Sequence, residues 1–158
     1  MERILILKKM AAAYHEYLNA VTPLFARNRD IEFGAKEGLN KFLSNLYIRY
    51  NGKNTDFRST AAVMLIRMGK SGGRLVFEHM IPKKLYQNRI LGSAKRNDLM
   101  TENEIFDLLE KYWWTATVTS AEHDLLCAAG LRSKMPEDWD GENIFCRYRK
   151  VGISIAGI

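Results

Sequence analysis

An adjacent acid and histidine, Glu78 and His79, end the apolar run in GGRLVFEHMIPKK. An imidazole can accept a proton from water near neutral pH, and a neighbouring carboxylate can hold a divalent cation against a phosphate group. Lys83 and Lys84 follow a turn later and are placed to approach phosphate oxygens, while Pro82 redirects the chain. The pair therefore predicts a centre for phosphodiester hydrolysis, with His79 as the general base.

The stretch FEHMIP resembles the first half of the signature of HNH, or ββα-metal, nucleases. In that family an acidic residue precedes the general-base histidine, and an apolar residue and a proline often follow. The resemblance implies that Glu78 is the first metal ligand, that Asn97 in a loop orients His79, and that Mg²⁺ or Mn²⁺ is bound. The helix after Asn97 carries no histidine for the final ligand, so Asn103 or Asp107 would complete the metal site.

A structural interpretation of Glu78 and His79 stays open beside the catalytic one. Successive residues of a strand point to opposite faces of the sheet. One of the two side chains can therefore be buried and hydrogen-bonded rather than exposed for chemistry.

A second histidine, His123, falls in the first turn of a predicted helix, where the helix dipole disfavours the protonated imidazole. A neutral imidazole beside Tyr148 or Arg147 suits a metal-independent ribonuclease, in which a histidine activates a ribose 2′-hydroxyl. Nothing local in the sequence brings His79 and His123 together. The two histidines are therefore rival candidates for the base.

The charge distribution predicts a phosphate-backbone partner, DNA or RNA. The net charge is +6, but residues 49–96 hold eleven basic side chains against two acidic ones, and residues 97–145 hold three against eleven. A basic block of this kind is typical of nucleic-acid binding. The candidate contacts are Arg74, Lys83, Lys84, Arg89, Lys95, Arg96, Arg147 and Arg149.

Two non-enzymatic functions compete with the nuclease. The chain could coat DNA or RNA without cutting it, or the basic block could dock on an acidic protein, including an enzyme that it inhibits. The same block could also be a solvated face paired with the acidic block of its own chain. The apolar C-terminal tail leaves a homodimer open as well.

Length and composition predict one globular domain over residues 1–158. The chain is 47% hydrophobic and 27% charged, as a protein with a full core should be. Cys127 and Cys146 belong to no CxxC motif, which favours free thiols in a reducing compartment over a zinc site or a disulfide. We expect a cytoplasmic location because no signal peptide or apolar membrane span is recognisable.

Helical spacing of apolar residues predicts three helices in the first half of the chain. The first covers residues 4–21, and the second covers residues 35–50. A third, capped by Thr55 or Asp56, contains the run 61–66, which is apolar all round and is therefore predicted to be central.

Strands and helices alternate in the later part of the predicted fold. A strand over RLVFEHMI precedes helices over PKKLYQNRIL and TENEIFDLLEKYWW, and WTATVT forms the next strand. Thr119 and Glu122 make a capping box for a helix that Gly130 ends, and FCRYRKVGISIAGI is predicted as the last strand. The fold class is α+β, with a helix-rich N-terminal two thirds and a small β-sheet or hairpin from the later part.

Overall fold

A computed structural model describes residues 2–25, 27–96 and 98–157. It confirms an α+β fold with a helix-rich N-terminal part and a small mixed sheet. The helices are α1 (Arg3–Val21), α2 (Arg29–Asn51), α3 (Thr60–Arg67), α4 (Lys83–Lys95), α5 (Glu102–Tyr112), α6 (Ser120–Ala128) and α7 (Cys146–Lys150). The strands are β1 (Phe57–Ser59), β2 (Leu75–His79), β3 (Thr115–Thr119) and β4 (Ile155–Gly157).

The chain divides into two compact units, each made of two segments. The first unit runs to Lys53 and adds Tyr86–Glu110. The second unit combines Asn54–Leu85 with the chain from Lys111 onward. Helices α4 and α5 each contribute residues to both units.

The first unit is a helical assembly around the predicted apolar stripe of α1. That stripe buries Leu7, Ala11, Tyr14 and Leu18, at the spacing of one helix face. Helix α2 packs against α1 and buries its own stripe, Leu39, Leu43 and Tyr47. Helix α2 starts earlier than predicted, because the Asn28 side chain accepts a hydrogen bond from the Asp30 amide at 2.7 Å and caps it.

The second unit is built on a four-stranded sheet in the order β2-β3-β1-β4. Strand β3 pairs antiparallel with β2 and parallel with β1, and β1 pairs antiparallel with β4. The predicted strands β2 and β3 are confirmed, whereas the short strand β1 was missed. A buried cluster joins one face of β3 to the segments around it: Met80, Ala116, Val118, Leu126, Leu131, Tyr148 and Ile153.

The prediction for the third helix was wrong in two respects. Ser59 caps α3, and Asp56 instead accepts hydrogen bonds from the amide and hydroxyl of Thr115 at 2.9 and 2.7 Å. The helix is also not central, since Met64 and Ile66 of the predicted run are 58% and 38% exposed. Residues 61–66 are apolar on every face of the helix, and yet part of this run lies at the protein surface.

The C-terminal prediction was also wrong over most of its length. The segment CRYRK forms α7 rather than a strand, and only Ile155–Gly157 joins the sheet, beside β1. The turn of α7 places the Tyr148 ring in the buried cluster of the second unit. Helix geometry therefore buries two residues, Arg147 and Tyr148, that strand alternation would have placed on opposite faces.

The Glu122 carboxylate ties together the N-termini of α3 and α6. Its Oε2 atom accepts from the Thr119 amide at 2.8 Å, which completes the predicted capping box, and from the Ser59 hydroxyl at 2.5 Å. The Ser59 oxygen in turn accepts from the Ala62 amide at 3.0 Å. One serine thus caps its own helix and anchors the cap of another.

We expect Ser59→Ala to lower the free energy of unfolding by about 1–2 kcal/mol, because it removes an N-cap and one partner of the part-buried Glu122 carboxylate. Urea denaturation would measure the change. Ser133→Ala, at an exposed position, is the matched control and should shift stability by less than about 0.5 kcal/mol. Equal effects of the two substitutions would contradict the role given to Ser59.

Candidate functional site

The Glu78 carboxylate joins a histidine and an arginine inside the second unit. Its Oε1 atom lies 2.5 Å from His123 Nδ1, and its Oε2 atom lies 3.3 Å from Arg147 Nη2. On the other side of the imidazole ring, Nε2 lies 3.4 Å from Cys127 Sγ. These four residues, Glu78, His123, Cys127 and Arg147, are called the Glu78 cluster below.

Local structure explains how the cluster forms. Glu78 is on β2, opposite Ala116 of β3, with its side chain 11% exposed. His123 and Cys127 are four residues apart on α6, so they lie on one helix face. The capping box at Thr119 fixes the residue at which α6 begins, and so fixes the position of His123 in the first turn of that helix.

The partners of His123 define its neutral tautomer. A carboxylate can only accept, so Nδ1 carries the proton and donates it to Glu78. Atom Nε2 then has a free lone pair that accepts from the Cys127 thiol. Because the His123 side chain is 24% exposed, this nitrogen belongs to a ring that solvent reaches. The arrangement is that of an imidazole base oriented by a carboxylate.

Arg147 corrects one prediction directly. It was expected to contact phosphate, but its side chain is completely buried and its guanidinium bonds inside the protein. Nε and Nη1 donate to the carbonyls of Met80 and Leu131 at 3.1 and 2.7 Å, and Nη2 donates to the carbonyl of His79 at 2.5 Å. Arg147 is therefore a structural connector between α7, the end of β2 and the loop after α6.

His79 lies on the other face of β2 from Glu78, as the structural interpretation of the pair expects. Its ring meets the buried Trp113 edge-on at 4.7 Å between centroids and Phe77 at 5.4 Å. Burial first, then the positive charges of Lys83 and Arg147, lower the pKa of His79 from 6.5 to about 3. The imidazole is thus neutral at pH 7 and a weak base.

The metal ligands implied by the HNH resemblance belong to different units, Glu78 to the second and Asn103 and Asp107 to the first. Both Glu78 oxygens are already bonded, to His123 and to Arg147. Asn103 and Asp107 are exposed on the part of α5 that belongs to the first unit. Across residues 2–25, 27–96 and 98–157, no group of three or more His, Cys, Asp or Glu side chains could hold a metal ion.

Asn97, expected to orient the base, lies outside the described residues. The resemblance itself therefore stays a prediction based on a few residues around Glu78.

Most of the cations predicted to meet phosphate are exposed. In the second unit these are Arg74, Lys84 and Arg149, and in the first unit Arg89, Lys95 and Arg96. Lys95 also bonds to Glu32 at 3.0 Å, and burial lowers the pKa of Lys83, which is only partly exposed. Lys70, Gly72 and Arg74 line a small basic depression at the entrance to β2.

Sequence reasoning did not bring Cys127 and Arg147 together with Glu78. Cys127 was predicted as a free thiol, which the structure confirms, but not as a neighbour of His123, and Arg147 was predicted as a phosphate contact. The four-residue spacing of His123 and Cys127 on a capped helix could have indicated that the Cys127 thiol lies beside the imidazole. The burial of Arg147 depends on carbonyl groups far away in the sequence, which no local pattern indicates.

No protein-family model, curated protein or solved structure matches this chain. Within the part of the chain that the structure describes, no helix is both long and apolar enough to cross a lipid bilayer. The geometry of the Glu78 cluster and the exposed positive charge of the second unit are the features of this chain that bear on its function.

Proposed function

We propose that this protein binds RNA and cleaves it by general base catalysis at His123. The observation that carries the proposal is the 2.5 Å contact between His123 Nδ1 and the Glu78 carboxylate. A carboxylate at Nδ1 fixes the tautomer, orients Nε2 and stabilises the imidazolium that forms when Nε2 takes a proton. Arg147 supports this role, because its contact with Oε2 at 3.3 Å holds the Glu78 carboxylate in place beside the imidazole.

The polyanionic partner follows from exposed positive charge in the same unit as the cluster. Arg67, Lys70, Arg74, Lys84 and Arg149 are all exposed in the second unit. Cations of this kind bind phosphates of any sequence, with an affinity that falls steeply as salt rises. They support binding of the backbone rather than reading of bases.

His123 suits the chemistry better than His79. A general base works best when its pKa lies near the working pH, and the pKa of His79 is held at about 3. His79 is also enclosed by Trp113 and Phe77.

The proposed reaction needs one proton acceptor and one donor in sequence. His123 Nε2 accepts the proton of a ribose 2′-hydroxyl, and the 2′-oxygen attacks the adjacent phosphorus. The bond from phosphorus to the 5′-oxygen breaks, and the leaving oxygen receives the proton from the imidazolium. The products are a 2′,3′-cyclic phosphate and a 5′-hydroxyl. The Cys127 thiol, now bonded to Nε2, must turn aside for the substrate hydroxyl.

The test is cleavage of a labelled RNA by the wild type and by His123→Gln, His79→Gln and His15→Gln. We expect His123→Gln to reduce the rate by about 10²–10⁴-fold, the usual contribution of a positioned base. His15→Gln, on α1, should cleave as the wild type does. Cleavage should survive EDTA, and the same sequence as DNA should stay intact because it has no 2′-hydroxyl.

Other results would overturn the proposal in distinct ways. Cleavage that EDTA and His79→Gln abolish, but His123→Gln does not, would return the chemistry to an HNH-like centre. Salt-sensitive RNA or DNA binding without cleavage would indicate a coating protein.

The two cysteines are free, which agrees with the reducing, cytoplasmic location that we include in the proposal.

One observation favours the rival function of an interaction protein. Helix α3 exposes Met64, Ile66 and Met68, and Arg67 is exposed among them. Exposed methionines adapt to varied apolar partners, and the arginine would favour an acidic one. A defined complex with an acidic protein, without binding of RNA or DNA, would support this second candidate.

A further inference from the structure

Cys127 has the surroundings of a reactive thiol, which the proposed cleavage reaction does not use. Its sulfur lies 3.4 Å from His123 Nε2, and the same ring is held at Nδ1 by Glu78. The residue is partly exposed, so reagents can reach it. Sulfur, imidazole and carboxylate thus form a continuous chain of hydrogen bonds, the arrangement that activates thiols elsewhere.

We propose that Cys127 is a modification site that reacts with small disulfides. The imidazole takes the thiol proton, and the resulting imidazolium is stabilised by the Glu78 carboxylate. The thiolate of Cys127 attacks one sulfur of the disulfide, a new S–S bond forms and the old one breaks. The departing thiolate takes the proton from His123. The small disulfide is the oxidant, and Cys127 ends as a mixed disulfide.

Cys146 provides an internal comparison within the same unit. It is also free and partly buried. Burial and the nearby negative charges of Asp138 and Asp140 raise the pKa of the Cys146 thiol. Less thiolate is therefore present at Cys146 at neutral pH, and this thiol should react slowly.

A consequence for the cluster depends on the proposed function. A mixed disulfide at Cys127 would place a bulky group beside His123 Nε2, where the ribose hydroxyl must bind. Modification would then stop RNA cleavage while leaving the bond between His123 and Glu78 in place. This regulatory effect depends on the proposed RNA cleavage. The reactivity of the Cys127 thiol does not depend on it.

The experiment exposes the folded 158-residue chain to oxidised glutathione at pH 7 and follows adducts at each cysteine by peptide mass spectrometry. We expect Cys127 to react at least about tenfold faster than Cys146, because an imidazole nitrogen lies 3.4 Å from the Cys127 sulfur and can take up the thiol proton during attack. His123→Gln should bring the rate at Cys127 close to that at Cys146. His15→Gln should leave both rates unchanged, and circular dichroism would verify that each variant is folded.

Two results would overturn the proposal. One is a wild-type Cys127 that reacts no faster than Cys146, a comparison that needs no variant. The other is a folded His123→Gln protein in which Cys127 keeps its advantage. Failure of the proposed ribonuclease looks different, because the wild type would then cleave no RNA while Cys127 still formed the adduct.

Discussion

Replacing Arg147 by methionine is expected to lower the free energy of unfolding of the second unit by about 3–5 kcal/mol, the usual cost of breaking one side of a buried ion pair. Methionine keeps much of the volume but makes none of the hydrogen bonds. The Glu78 carboxylate loses the guanidinium on Oε2, and the carbonyls of His79, Met80 and Leu131 lose their donor. Buried acceptors without partners carry their full desolvation cost.

The matched control is Arg149→Met, two residues along the same helix but exposed. It should change stability by less than about 0.5 kcal/mol. Tryptophan fluorescence in urea is a suitable measurement, because the three tryptophans, Trp113, Trp114 and Trp139, all belong to the second unit. Similar midpoints for the two variants would show that Arg147 is not the connector described above.

The parts of the fold that sequence predicted well are those with strong local signals. The stripe of α1, the acids that open α5 and the capping box at Thr119 each depend on residues within one or two turns. Strand β1 has only three residues and was missed, since its partners in β3 and β4 are far along the chain. Pairing with distant strands gives a three-residue strand no recognisable sequence pattern of its own.

Two errors came from patterns that fit more than one structure. Asp56 and Ser59 are both good N-cap types, and only the contact of Asp56 with Thr115 decides between them. The segment CRYRK alternates like an edge strand, yet it is helical because Tyr148 and Arg147 both reach buried partners that way. Tertiary contacts, rather than propensity, decide both cases.

The candidate site was predicted as separate residues and not as an arrangement. Glu78 and His123 were each singled out, but the two are 45 residues apart in the chain. Glu78 was paired with its neighbour His79, although alternation along β2 sends the two side chains to opposite faces. The packing of α6 on the sheet brings His123 to Glu78. No local sequence pattern in β2 or in α6 predicts this contact.

His79 is expected to make the second unit sensitive to acid. In the unfolded chain its pKa returns to about 6.5, whereas burial beside Trp113, with Lys83 and Arg147 nearby, holds the pKa near 3 in the folded protein. Below pH 6.5 the unfolded state therefore binds a proton that the folded state does not. Stability from this group is complete above pH 6.5 and falls by about 1.4 kcal/mol per pH unit as the pH drops toward 3.

The measurement is urea denaturation of wild type and His79→Gln at pH 7, 6, 5 and 4, followed by tryptophan fluorescence. Between pH 6 and pH 4 the wild type should lose roughly 2–3 kcal/mol more unfolding free energy than His79→Gln does, because only the wild type gains a proton at residue 79 on unfolding. Carboxylates contribute to acid unfolding of both proteins and cancel in the comparison. His15→Gln, which removes a histidine from α1, should follow the wild type at every pH. Parallel curves for wild type and His79→Gln would mean that the folded protein accepts the proton as readily as the unfolded chain.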